Sequence, residues 1–575
     1  MPDRPDPAGP APFDLGRWQR RVRVALGQEP PDLVLTGADV VDVFGEERLR
    51  ADVAVADGVV AGVGDYPDGL QRIDLPGRVI APAFVDAHIH TESALVWVTE
   101  FARAVVPRGT GAVVTDPHEL ANVAGLPGLR AMRQAAAGLP LVVRFTAPSC
   151  VPASPAESPG ATFGAAEIAE MLAWPETLGL GELMNFPGTL AGDAEIGAKL
   201  AAAAGHPIDG HSPGVGGAAL QGYAASGPGS DHESTTLDEA RAKLRAGLMV
   251  MIREGASAKN LAALLPLVTD HTYPRCCFCS DDRDCHLLLH EGHVDAILRQ
   301  AVAGGLDPLR AIRLATWNPA QHWGLRDLGA VAPGFRANLA VLADLERFAV
   351  EMTLFDGRVV ARDGRMVAAA PPPAIPPELR ETMRPAPVAV GDFALAPEDA
   401  RQTVVVVPGQ IATGWAEVAP TLRDGRAVAD PGRDLLKLAC VERHHQTGRV
   451  GVGYVQGFGL RRGALASSIA HDAHNIVVVG ADDADMLGAV ATVVASGGGL
   501  AAVADGAVLA HLPLPVAGIL SDRPLAEVAD GYAAVEAAAA ALGSTLPSPF
   551  GLLSFLALSV IPEARVTDRG FLRLA

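Results

Sequence analysis

Residues 79–90, VIAPAFVDAHIH, decide the fold of this chain. An apolar run closes on Asp86, His88 and His90, and in an extended strand residues two apart face the same side. The stretch therefore predicts a buried strand whose end presents two imidazoles to one place. A lone His-x-His says little, and its weight here comes from repetition. Apolar runs ending in polar groups recur at GAVVTDPHE (111–119), LVVRFTAPS (141–149), LGLGELMN (178–185), PIDGHS (207–212), GSDHES (229–234), LMVMIREG (248–255) and CCFCSDD (276–282). Amphipathic stretches such as AEIGAKLAAAAG, LDEARAKLRAG and AKNLAALLPLVTD fill several of the gaps. Strands alternating with helices over residues 81–328 predict a (β/α)8 barrel, the fold class being α/β.

Working outward, both flanks carry short β runs broken by Gly and Asp. Residues 32–80 and 329–370 are expected to combine into one small β-sandwich. Residues 1–31 form an N-terminal extension, with a Pro-rich lead and a basic helical piece. A Pro-rich linker, 371–385, precedes a separate C-terminal α+β domain, 386–575. That domain has its own β runs, QTVVVVPG and NIVVVGADD, and an Ala-rich helix near 531–542.

Composition narrows the class. The chain has 575 residues, 49% of them hydrophobic, and a net charge of −20. Such acidity argues against a nucleic-acid partner, which needs a basic face. No run of about 18 apolar residues suits a membrane span. The opening MPDRPDPAGPAPFDLG lacks the apolar core of a secretory signal, so a cytoplasmic location is expected. Six cysteines, three of them crowded at Cys276, Cys277 and Cys279, do not suggest a disulfide framework and read as small packing residues.

In a barrel, the C-terminal ends of the strands face a common site. Here those ends carry His88, His90, Glu182, His211, His232 and the pair Asp281-Asp282. Adjacent residues cannot both point inward, so one of that pair is expected at the site. Six ligands of mixed N and O type exceed the three of a single open catalytic zinc. They predict a binuclear divalent centre, with Glu182 as a carboxylate able to bridge the two cations. Without a thiolate, the set suits Mn, Fe or Zn. Glu92, Ser93, Asp116, His118 and Glu119 read either as lining the substrate side or as tying the loops that follow their strands. In the C-terminal domain, His471, Asp472, His474 and Asn475 form a polar cluster that reads either as a hydrogen-bonded turn or as a contribution to the barrel mouth. The glycine-rich run Ser496–Gly499 lies nearby and could let the backbone approach another surface.

At these residues the chain resembles the amidohydrolase superfamily and, within it, the bacterial adenine deaminase family. The phrases PAFVDAHIHTESAL, GTGAVVTDPHELANVAG, APSCVPA, GELMNFPG, DGHSPGVGGAALQGYAASGPGSDHESTT, SDDRD, EGHVDAI and ATWNPAQHWGL carry the likeness. In the second domain it is carried by GVGYVQGFGLRRGALASSIAHDAHNIVVVG. The resemblance spans about Asp32 to Leu574. It implies hydrolytic deamination of adenine to hypoxanthine and ammonia by a metal-bridged hydroxide, with Mn or Fe ahead of Zn. It also implies that Glu182 replaces the carboxylated lysine of many relatives. Asp281 is favoured over Asp282 as ligand and proton relay, with Glu182 and His232 beside it in catalysis. Ala83, Ala94, Ala256 and the segment CHLLLHEGH depart from the family pattern, three of the four near the pocket rim. The implied partners are adenine and water, with a homodimer left open and neither nucleic acid nor membrane expected. The alternatives are an amidohydrolase acting on another aminopurine or a cyclic amide, and an assembly module that has lost its metals.

Overall fold

The computed structural model describes residues 14–256, 258–367, 375–397, 400–407 and 410–574. The Pro-rich lead, part of the linker at 371–374 and the C-terminal residue of the last domain lie outside the described residues. The molecule is mixed α/β, and each of the eight apolar runs contains a strand. Ile208–Gly210, Thr177–Leu183, Val142–Ala147, Thr110–Thr115, Phe84–His90 and Asp281–Asp282 lie side by side in one sheet, all parallel. Ser230–Asp231, Met249–Arg253 and Cys276–Cys279 form a second parallel sheet. Helices alternate with these strands, among them Val98–Val105, His118–Ala136, Ala165–Leu172, Ala194–Ala202, Gly217–Ala225 and Leu237–Arg245.

Two polar seams connect the sheets. Gly229 N donates to Ile208 O at 2.8 Å. The Asp86 carboxylate accepts from Ser280 N (3.0 Å) and Ser280 Oγ (2.5 Å), which fixes the residue just before Asp281. Cys276, Cys277 and Cys279 are buried free thiols in their strand, packed as small apolar groups.

The flanking β segments interleave. Leu339–Leu342 pairs antiparallel with Val79–Pro82, the strand that leads into Phe84–His90. A seven-stranded sheet built around this pair faces a four-stranded sheet across a core that includes Leu35, Val55, Ile80, Val341 and Leu354. After the linker, eight further strands from Gln402–Val406 to Ala507–Pro513 make one sheet, covered by the helices Asp483–Ala495 and Leu525–Ala541. The glycines at 498 and 499 do allow close backbone approach, but to Gly518 and Leu512 of this same region. Its core is continuous with the outer helices of the first unit: Trp97, Phe101, Val516, Leu520 and Leu525 belong to one buried cluster. Trp97 N donates to Ser521 O and Ser521 N to Leu95 O, at 2.9 and 2.8 Å. Among the described residues, no helix is long and apolar enough to cross a membrane.

Candidate functional site

The strand ends bring together the six residues expected to meet. His88 and His90 close the Phe84–His90 strand with their Nε2 atoms 3.3 Å apart. Asp281 Oδ1 lies 3.4 Å from His88 Nε2 and 3.2 Å from His90 Nε2. Glu182 Oε1 is 3.6 Å from His90 Nε2. The other oxygen of Glu182 faces a second group, with His211 Nδ1 at 2.7 Å and His232 Nε2 at 3.1 Å. One carboxylate thus serves two clusters of nitrogen donors. Side chains here are buried, His211 being the most accessible at 24%.

Neighbouring groups dictate which imidazole nitrogen is available. His88 Nδ1 donates to Asp209 Oδ2 at 2.7 Å, and His90 Nδ1 donates to the Asp116 carbonyl at 2.8 Å. Both rings are therefore held with Nδ1 protonated and the Nε2 lone pair free, the state a metal ligand requires. Asp209 is itself anchored by Ser230 Oγ and Gly210 N. Burial opposes its ionisation, but His88 outweighs this and holds the carboxyl at about 2.

Asp281 takes the inward position and Asp282 does not. Arg253 Nη1 grips Asp281 Oδ2 at 2.7 Å, leaving Oδ1 toward the histidines. Burial opposes ionisation of Asp281, yet Arg253, His88 and His90 keep its carboxyl well below the usual range. Its backbone φ of 57° is a left-handed conformation that residues other than glycine rarely adopt. Asp282 instead accepts a hydrogen bond from Ser93 Oγ.

The residues expected on the substrate side divide. Glu92, Ser93, Glu119 and Asp282 line a cavity of about 310 Å³, whose opposite wall is Ile469, His471, Leu500, Phe550 and Phe555 of the C-terminal region. None of the six grouped residues lines it; it is reached through their chain neighbours. Burial pushes the Glu92 carboxyl up to about 7. Asp116 and His118 stand away from the cavity and support the centre. Asp116 Oδ2 accepts from Glu182 N at 2.8 Å, an approach that requires Gly181, since a Cβ there would meet Asp116 Oδ2 at 2.2 Å. His118 Nδ1 lies 3.4 Å from Glu182 Oε1. The C-terminal cluster reaches this wall: Glu119 bonds both His471 and His474.

The donor set suits divalent cations. His232 is fully buried, and neither of its ring nitrogens has a hydrogen-bond partner despite the nearby carboxylates. A buried polar atom without a partner is costly unless something else satisfies it. His88, His90 and Glu182 converge, as do Glu182, His211 and His232. Together these observations make the site a divalent metal centre.

Supporting residues were harder to read from sequence. Asp209 stands two before His211 on one strand face, a legible but overlooked signal. Arg253 ends the strand Met249–Arg253 and bonds both Glu233 and Asp281. Asp231 pairs with Lys243 at 2.6 Å, both fully buried, and accepts from Ser212 N and Oγ. It fixes the turn after His211 from beside His232.

The amidohydrolase family model matches residues 79–360, and the adenine deaminase C-terminal domain model matches residues 410–575. Adenine deaminase of Dehalococcoides mccartyi is 45% identical over 550 residues, covering 96% of each chain. That of Nitratidesulfovibrio vulgaris is 46% identical over 557 residues, again 96% of each. The Methanothrix thermoacetophila enzyme is 44% identical over 558 residues, covering 96% of this chain and 97% of its own. A solved beta-aspartyl dipeptidase from Fervidobacterium islandicum aligns over 59% of this chain and 99% of its own at TM-score 0.46 and 16% identity. With near-complete coverage by such relatives, and a metal centre at the strand ends, the chain belongs to the adenine deaminase family of amidohydrolases.

Proposed function

We propose that the protein hydrolyses adenine to hypoxanthine and ammonia, in the cytoplasm and in the service of purine salvage. The observation that carries this reading is Glu182, with one oxygen on each of two histidine groups and Asp281 beside them, in a chain whose relatives bear the name adenine deaminase. The fold that goes with it is a closed (β/α)8 barrel over 81–328, a β-sandwich from 32–80 and 329–370, and a C-terminal α+β domain from 386. The seams at Gly229 and Asp86 support closure.

His88, His90 and Asp281 would hold one divalent cation, His211 and His232 a second, and Glu182 both. Mn or Fe is expected ahead of Zn. Bound there, such cations would supply Lewis acidity, making water a better nucleophile near neutral pH. Asp281, fixed through Oδ2 by Arg253, sets its carboxylate at the centre, where it would take the proton of the attacking water and pass it to the departing nitrogen. His232 is rigidly buried beside that carboxylate. Glu92, Ser93 and Glu119 face the cavity and orient the purine, while Asp116 and His118 hold Glu182 from behind.

The test is protein purified with Mn supplied, assayed for bound metal and for ammonia and hypoxanthine from adenine. About two cations per chain and stoichiometric products are expected. Release of ammonia from other aminopurines but not adenine would reassign the substrate, and a single cation with no activation by Mn or Fe would sink the binuclear centre.

A further inference from the structure

Glu119, His471 and His474 have the composition of a third metal site, but their protons are arranged otherwise. The backbone N–H of Ala470 donates to His474 Nδ1 at 3.2 Å, so the hydrogen of the neutral ring resides on Nε2 and is given to Glu119 Oε2. A cation at that Nε2 would require an imidazolate. Metal-bound histidines instead donate their second N–H, as His88 and His90 are set to do. The trio is therefore a clasp around a carboxylate.

Burial opposes ionisation of Glu119, yet His471 and His474 outweigh it and hold the group well below its usual range. Its other oxygen accepts from His471 Nδ1 at 2.5 Å. The opposite nitrogen of His471 then points away from Glu119. Among the described residues no hydrogen bond reaches this Nε2, and the ring lines the cavity with its side chain 14% exposed. Stacking on Phe555, with centroids 4.5 Å apart and planes at 20°, fixes the plane of the ring.

We propose that His471 is a substrate-contacting residue supplied by the C-terminal domain: Glu119 orients its ring, and Nε2–H meets an unprotonated ring nitrogen of the purine in the cavity. This rests on the aminopurine reading above. Several of the other polar groups that line the cavity are already engaged or are acids. Glu92 and Asp282 are carboxyl groups, Ser93 gives its hydroxyl hydrogen to Asp282, and Tyr532 and Ser548 bond one another at 3.2 Å. A purine offers several ring nitrogens without hydrogens, and negative charge gathers on the ring when its amino-bearing carbon is attacked, so a fixed donor there favours the transition state. Burial opposes protonation of His471, but Glu119 pushes its pKa up to about 9, consistent with an N–H at both ring positions.

The test compares the unaltered, Mn-loaded enzyme with His471→Phe, which keeps a ring to stack on Phe555, and with His471→Gln, which restores a donor. Binding of adenine and of 1-deaza-, 3-deaza- and 7-deazaadenine is measured for each, with metal content as a control. The unaltered enzyme should bind one deaza analogue at least tenfold more weakly than adenine. His471→Phe should weaken adenine by roughly 10–100-fold, the range for a hydrogen bond to a charged group. It should bind that one analogue as well as the unaltered enzyme does, and the glutamine variant should recover part of the discrimination. Discrimination unchanged in His471→Phe, a parallel loss on every ligand, or loss of the barrel metals would each overturn the contact. Ammonia release from adenine by the unaltered enzyme reports separately: its absence removes the proposed function, and with it this assignment. Turnover with unchanged discrimination removes the His471 contact alone.

Discussion

Asp209→Asn is a nearly isosteric change that should unseat a metal ligand without touching it. Asp209 Oδ1 accepts from Ser230 Oγ at 2.6 Å and from Gly210 N at 2.9 Å, while Oδ2 accepts from His88 Nδ1 at 2.7 Å. In the asparagine, a flipped amide would set its nitrogen against the Gly210 N–H, two donors face to face. The carbonyl must therefore keep the Oδ1 position, and the NH2 group turns toward His88. His88 Nδ1 can then only accept, so its proton moves to Nε2, the atom facing His90 and Asp281. That removes the lone pair the cation needs. Loss of such an outer partner typically costs 10–100-fold in metal affinity, about 1.4–2.7 kcal/mol. The forced tautomer places this case at the upper end. Titration of metal-free protein with Mn against a competing chelator should show a loss of about a hundredfold, with Ser230→Ala much milder. An affinity within about threefold of the unaltered protein would refute the tautomer argument, since that lies below the usual cost of losing such a partner.

Glu182→Gln should lose both cations as well as turnover, measured by elemental analysis; full metal content would show the bridge to be misplaced. Asp281→Asn should lower kcat by at least about 10²–10⁴ and Asp282→Asn by less, and the reverse order would shift the register by one residue. Burial pushes Glu536 up to about 7 from 4.5, so the unfolded chain ionises first and stability is lost as pH rises through that interval. Glu536→Gln should thus gain more in Tm at pH 8 than at pH 4.5, in thermal melts of the two proteins; equal gains would contradict this. Ending the chain after Val367 uncovers Trp97 and Phe101 from Val516 and Leu520, so the shortened protein should aggregate or melt far lower. A soluble shortened form deaminating at the full rate would assign the C-terminal region to another role.

The eight strand ends were legible because each couples an apolar run to polar residues, metal-ligand types at five of them supplying the six grouped side chains, and the ring of donors follows from where strands end. The two shortest strands, Ser230–Asp231 and Ile208–Gly210, are too brief for any periodicity to mark. What placed them in sequence was the histidine following each. Arg253 looked like an ordinary strand terminus, since nothing local announces that it will meet Asp281, 28 residues on. The Glu119–His471 contact spans 352 residues. The cluster around His471 was visible as a dense polar turn, but its partner depends on how two separately formed sheets pack. Packing of that kind leaves no mark in a local pattern.

The cavity's two walls come from stretches of chain that play unlike parts. The wall that carries Glu92, Ser93 and Asp282 is tied to the ligands by one to three peptide bonds, so it tolerates little change without disturbing the cations. The wall of Ile469, Leu500, Phe550 and Phe555 hangs on a different sheet and shares no backbone with the ligands. Fit and chemistry are thereby uncoupled. A library confined to those four positions could resize the chamber for bulkier bases while the reacting centre is inherited intact, which makes the later half of the chain the natural place to redesign selectivity.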